Sequence, residues 1–151
     1  MLVMFILFLA ICAVPAAAGL FFKPGRWYRD LEKPSWTPPD WVFPIVWAAL
    51  YLLMSWAAAR VAMQPDNDVA LGLWSLQITV STLWSAVFFG QHRIKAGAAI
   101  IIVLWLAVAA TTAAFLAHDR LAAVLMTPYL AWGSFALALN LSILNRNPQP
   151  A

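Results

Sequence analysis

Residues 33–51, KPSWTPPDWVFPIVWAALY, begin as a loop and end as an apolar helix. Lys33-Pro34 and Thr37-Pro38-Pro39 hold the first part extended, because each proline fixes its own φ and bars the preceding residue from the helical region. Pro44 falls in the first helical turn, where a missing N–H costs little. No charged side chain follows until after Ala59. A helix needs about 20 mostly apolar residues to cross about 30 Å of hydrocarbon. The stretch therefore reads as a membrane span with a stiff, aromatic loop at its mouth.

Four more uncharged runs surround it, at 1–22, 69–91, 96–117 and 121–145. The chain is 64% hydrophobic and 10% charged, against about 45–50% and about 25% in soluble domains. Backbone polar groups in lipid need internal partners, and the alternating segments of a membrane β-barrel are not seen. The expected fold is an all-α membrane protein, one domain over 1–151, with helices at roughly 2–22, 41–62, 69–90, 96–117 and 121–145. A long Trp/Pro-rich loop, 23–40, joins the first two, and NRNPQPA forms a frayed tail. Short connections predict that spans two and three, three and four, and four and five are antiparallel neighbours. The first run has the apolar core of a signal peptide but no basic residue before it, and it continues past its alanines to Phe22. It is expected to be a retained helix. The single cysteine, Cys12, reads as a small core residue.

With five spans, Lys23, Arg26, Arg29, Lys33, Arg93, Lys95 and Arg146 fall on one side, and only Arg60 and Arg120 on the other. In a bacterial inner membrane this bias places the first loop and the C-terminus in the cytoplasm; inner and outer membrane stay open. The net charge of +3 comes mostly from these flanking residues. It fits contact with lipid headgroups and gives no reason to expect a nucleic-acid partner.

Aromatic and polar residues recur on helical faces. Phe43, Trp47 and Tyr51 share a face of the second span, and Gln77, Ser81, Trp84 and Phe88 a face of the third. On the fifth, Tyr129, Trp132, Ala136 and Asn140 form a stripe, while Trp105 and Thr112 share a face of the fourth. Gln77 and Asn140 are costly in lipid and should face the interior. Ordinary packing and an interfacial aromatic belt explain single residues. Nine Trp residues, several of them deep in their spans, favour a cavity for a flat apolar ligand, since Trp and Tyr offer a stacking face and a hydrogen-bond donor.

The missing groups also bound the function. No Asp, Glu, Lys or Arg lies mid-span, which argues against a proton-coupled pump or an ion channel. His92 and His118 sit at opposite ends, so no metal or haem site is expected. No catalytic residues or resident cofactor are assigned, because neither a nucleophilic triad nor a phosphate loop is present.

WYRDLEKPSWTPPDWVFPIVWAALY, residues 27–51, resembles the signature of the tryptophan-rich sensory protein (TspO), translocator protein or peripheral benzodiazepine receptor family. Gln77 with Trp84, FFG at 88–90 and PYLAW with Leu139-Asn140 extend the resemblance over nearly the whole chain. It implies five transmembrane helices, commonly as a homodimer, and a pocket with the first loop as lid. By matching position, Trp36, Phe43, Trp47, Tyr51, Trp84, Phe88, Trp132 and Ala136 line or cap that pocket. Family ligands include porphyrins such as protoporphyrin IX, benzodiazepine-type drugs and, in animals, cholesterol. Two departures bear on the ligand. Ser81 stands where the family often has Asn and reaches less far. Leu141 replaces the tyrosine of the animal cholesterol motif, which speaks against specific sterol recognition.

The resemblance implies a membrane receptor or sensor that binds porphyrin, linked to tetrapyrrole regulation or transport. Two alternatives stand beside it: a light- and oxygen-dependent porphyrin-degrading enzyme, and a carrier for tetrapyrroles or lipids. Arg26, Arg29 and Lys33 near the mouth suit either porphyrin propionates or lipid headgroups.

Overall fold

The computed structural model describes residues 1–22 and 24–147. Lys23, counted above among the loop cations, and the tail 148–151 lie outside them. The helices are α1 (Leu2–Phe21), α2 (Arg26–Asp30), α3 (Val42–Ala62), α4 (Asp68–Ser85), α5 (Ile94–His118) and α6 (Arg120–Arg146). Helix α4 runs on as a π-helical turn, Ala86–Gly90. All but α2 are long and apolar enough to cross a membrane, with α4 and its π turn forming one span. The fold is an all-α, five-span membrane bundle.

The helices pack in a ring. Helix α5 lies along α4 and α6, α6 also meets α3, and α1 packs on both α3 and α4. Spans two and three, α3 and α4, make little direct contact although only 63–67 join them, so the expected neighbour pairing fails there. They meet where the Trp74 indole N–H donates to the Met54 carbonyl at 3.2 Å. Beyond that point they splay, and α1 fills the gap. Phe8 packs edge-on against Trp74 at 5.0 Å, and Cys12 lies 3.3 Å from the Ser55 hydroxyl. A two-helix contact is thereby replaced by a three-helix one that leaves space at its open end.

The 23–40 segment is not all loop. Its first part winds into α2, whose last carbonyls would be orphaned without a partner. The Lys33 ammonium supplies one, donating to the carbonyls of Tyr28, Arg29 and Leu31 at 2.6, 3.2 and 3.2 Å. Trp27 stacks on His92 with ring centres 4.4 Å apart. The Glu32 N–H donates to Asn147 Oδ1 at 3.0 Å, and Asn147 Nδ2 returns a bond to the Glu32 carbonyl at 2.7 Å. These contacts hold the segment across the splayed end of the bundle.

The π turn is the other local departure. Gln91 N–H bonds to the Ala86 carbonyl at 3.0 Å, one residue further back than an α-helix requires. The extra residue turns both Phe88 and Phe89 toward Trp84 and Tyr28. Glycine makes room for this. A Cβ on Gly97 would sit 2.9 Å from the Phe88 ring, and one on Gly90 would sit 2.7 Å from Phe22.

Candidate functional site

The splay between α3 and α4 holds a cavity of about 310 Å³. Pro15, Ala16, Gly19 and Leu20 of α1 form one wall, and small residues there leave the volume open. Phe43, Pro44, Trp47, Ala48 and Tyr51 of α3 form the second. Ser81, Trp84 and Ser85 of α4 form the third, with Phe89 of the π turn. Pro24, Tyr28 and Asp40 frame the loop end. A smaller void of about 30 Å³ lies among α3, α4, α5 and α6, lined by residues including Trp105, Tyr129, Trp132, Gly133 and Ala136. Phe43, Trp47 and Trp84 face both spaces and act as a partition between them.

The sequence-predicted residues divide accordingly. Phe43, Trp47, Tyr51, Ser81 and Trp84 converge on the larger cavity, while Trp132 and Ala136 face only the smaller. Phe88 is buried behind Trp84, stacked on it at 5.2 Å, and lines neither. Asn140 lines neither. Its Oδ1 accepts the Trp84 indole N–H at 3.0 Å and so fixes the ring that divides the two spaces. Trp36, expected as a cap, is 47% exposed and rests edge-on against Phe135 at 5.4 Å. The cause is a turn: Thr37 N–H and Oγ1 both bond the Pro34 carbonyl, at 3.1 and 2.8 Å, and carry Trp36 toward α6. The loop's contribution to the mouth comes instead from Pro24, Tyr28 and Asp40.

Sequence reasoning missed Asp40, Tyr28 and the α1 wall. Aspartate in a loop has no periodicity to reveal where it faces, and nothing in the apolar first run marked Pro15 to Leu20 as a wall. Tyr28 did lie inside the family-like WYRDL stretch.

The polar chemistry of the larger cavity is modest. Tyr51, Ser81 and Ser85 offer hydroxyls along its walls. Burial, helped by the Asp40 charge, pushes the Tyr28 hydroxyl up to about 12, so it stays a neutral donor. Arg26 and Arg29 are exposed on α2 and, like Lys33, lie outside the lining. Deeper in the bundle Trp132 Nε1, Gln77 Oε1 and Asn140 Nδ2 are buried without hydrogen-bond partners among the described residues. The arrangement suits stacking on a flat apolar body, with hydroxyls to orient it.

Residues 5–146 match the TspO/MBR family. The chain is 44% identical over 151 residues to the "Protein CrtK" of Rhodobacter capsulatus, covering 97% of this chain and 94% of that protein. It is 46% identical over 144 residues to a "Tryptophan-rich sensory protein" of Cereibacter sphaeroides, covering 95% and 91%. It is 36% identical over 127 residues to the human "Translocator protein", covering 81% and 75%.

Proposed function

The chain belongs to the TspO/MBR family of multi-pass membrane proteins, and we propose that it is a membrane receptor or sensor whose larger cavity binds a porphyrin-type tetrapyrrole. The observation that carries this reading is the meeting of Phe43, Trp47, Tyr51 and Trp84 around about 310 Å³ of space. Small-molecule sites span about 300–1,000 Å³. At the lower end of that range, the cavity takes one apolar edge of a macrocycle and leaves the opposite edge at the Tyr28–Asp40 mouth.

The test is a titration of protoporphyrin IX into the purified protein in the dark, followed by Trp fluorescence quenching. Saturable quenching is expected, with affinity about tenfold weaker in Trp47→Ala, since a stacked aromatic pair contributes about 0.5–1.5 kcal/mol beyond its buried area. Quenching that never saturates removes the tetrapyrrole reading. A second reading, light- and oxygen-dependent porphyrin breakdown, is favoured by one feature: two indoles, Trp47 and Trp84, face the same cavity. A new pigment formed only under light and oxygen, and lost in Trp47→Phe with binding retained, would select it.

A further inference from the structure

Asp40 is the only charged side chain among the described residues that line the larger cavity. Among the described residues it forms no ion pair, unlike Asp119, which pairs with Arg60 at the other end of the bundle. Lys33 donates to three carbonyls of α2 and lies 4.6 Å from the centre of the Tyr28 ring. The mouth thus combines a carboxylate that no described side chain pairs, a Tyr28 hydroxyl and the aromatic walls formed by Phe43, Trp47 and Trp84. A carboxylate beside aromatic faces attracts cations, through charge and through the ring quadrupoles together. It repels a carboxylate brought to the same place.

We propose that Asp40 acts as a charge filter for this cavity, favouring planar ligands whose edge at the mouth is neutral or cationic and disfavouring those that present a carboxylate there. The inference rests on the larger cavity being the ligand site. It adds what the aromatic walls cannot supply, because stacking alone does not distinguish an acid from its ester. Asp40 accordingly weakens the binding of a tetrapyrrole diacid and not that of the same ring with its carboxylates masked.

The experiment compares three probes on the wild type and Asp40→Asn: protoporphyrin IX, its dimethyl ester, and proflavine, a planar cation. Asp40 is exposed, so the variant is expected to fold, and circular dichroism checks that it does. Comparing the two proteins for each probe cancels that probe's partition into detergent. Two unit charges about 4 Å apart in water interact by about 1 kcal/mol, or about fivefold in affinity. Asp40→Asn should therefore strengthen diacid binding about fivefold, weaken proflavine about fivefold and leave the diester unchanged. Both effects should shrink at about 1 M salt, where the screening length falls to about 3 Å. Changes below twofold for both charged probes overturn the filter, as does a wild type that binds no proflavine. If neither porphyrin binds, the tetrapyrrole reading fails by itself, and the proflavine result alone upholds or overturns the role of Asp40.

Discussion

Asn140 is 2% exposed and directs its side-chain oxygen at the Trp84 indole N–H, 3.0 Å away. Its sequence position marked it as inward-facing, since an amide is costly in lipid. Hydropathy could not say what it would face, and the partner proved to be a tryptophan rather than open cavity. The same limit separates the other residues. Trp47 and Tyr51 follow helical spacing and lie where that spacing points. Trp36 and Asp40 sit in a segment whose course is set by two turns, Pro34–Thr37 and Pro39–Val42, and by contacts with Asn147, more than a hundred residues away in the chain. Asn140→Leu keeps the size roughly constant and removes the acceptor. Interhelical hydrogen bonds in membranes contribute about 0.6 kcal/mol on average and at most about 1.7. The variant should lose about 1 kcal/mol in a detergent-unfolding titration and show altered Trp fluorescence as Trp84 loosens; an unchanged unfolding midpoint would deny that the bond anchors the ring.

At the scale of elements, the five spans were legible because charge is excluded from the middle of each of them. The π turn was not, since it depends on Gly97, at the start of the next helix, giving Phe88 room. Nor was the placement of α1 between α3 and α4, because an apolar run carries no sign of which neighbour it chooses. The end opposite the cavity is held differently. Asp119 caps α6, accepting the Ala122 N–H at 3.1 Å, and receives the Arg60 Nε–H of α3 at 2.9 Å. Burial raises its carboxyl, but the Ala122 N–H and Arg60 outweigh that and hold it below the ordinary carboxylate value. A carboxylate lowered on folding contributes stability above its unfolded value, about 3.9, and loses it as pH falls through the folded value. Asp119→Ala should cost about 1 kcal/mol at neutral pH, in the range of lost N-caps. The variant should also lack the part of the wild type's decline below about pH 4 that comes from this group. Parallel acid-unfolding curves would contradict that assignment.

On the scale of the whole molecule, the larger cavity exists because two consecutive helices part company and a third fills the gap incompletely. Ala48 faces that space from α3 and is exposed. Ala48→Phe should fill part of the cavity and weaken ligand binding more than tenfold. Its stability should change by no more than about 0.5 kcal/mol, as for substitutions that disturb no buried contact. Binding that survives the variant would place the ligand elsewhere in the bundle. The lining of this cavity also has an order in time. Its last residue is Phe89, whereas Asn140, which fixes Trp84, lies in the final helix. A ribosome adding about 5–20 residues per second delivers every wall residue roughly 3–10 s before the clamp on Trp84. A nascent chain therefore carries the cavity's full lining, with its dividing indole still unanchored, well before synthesis ends.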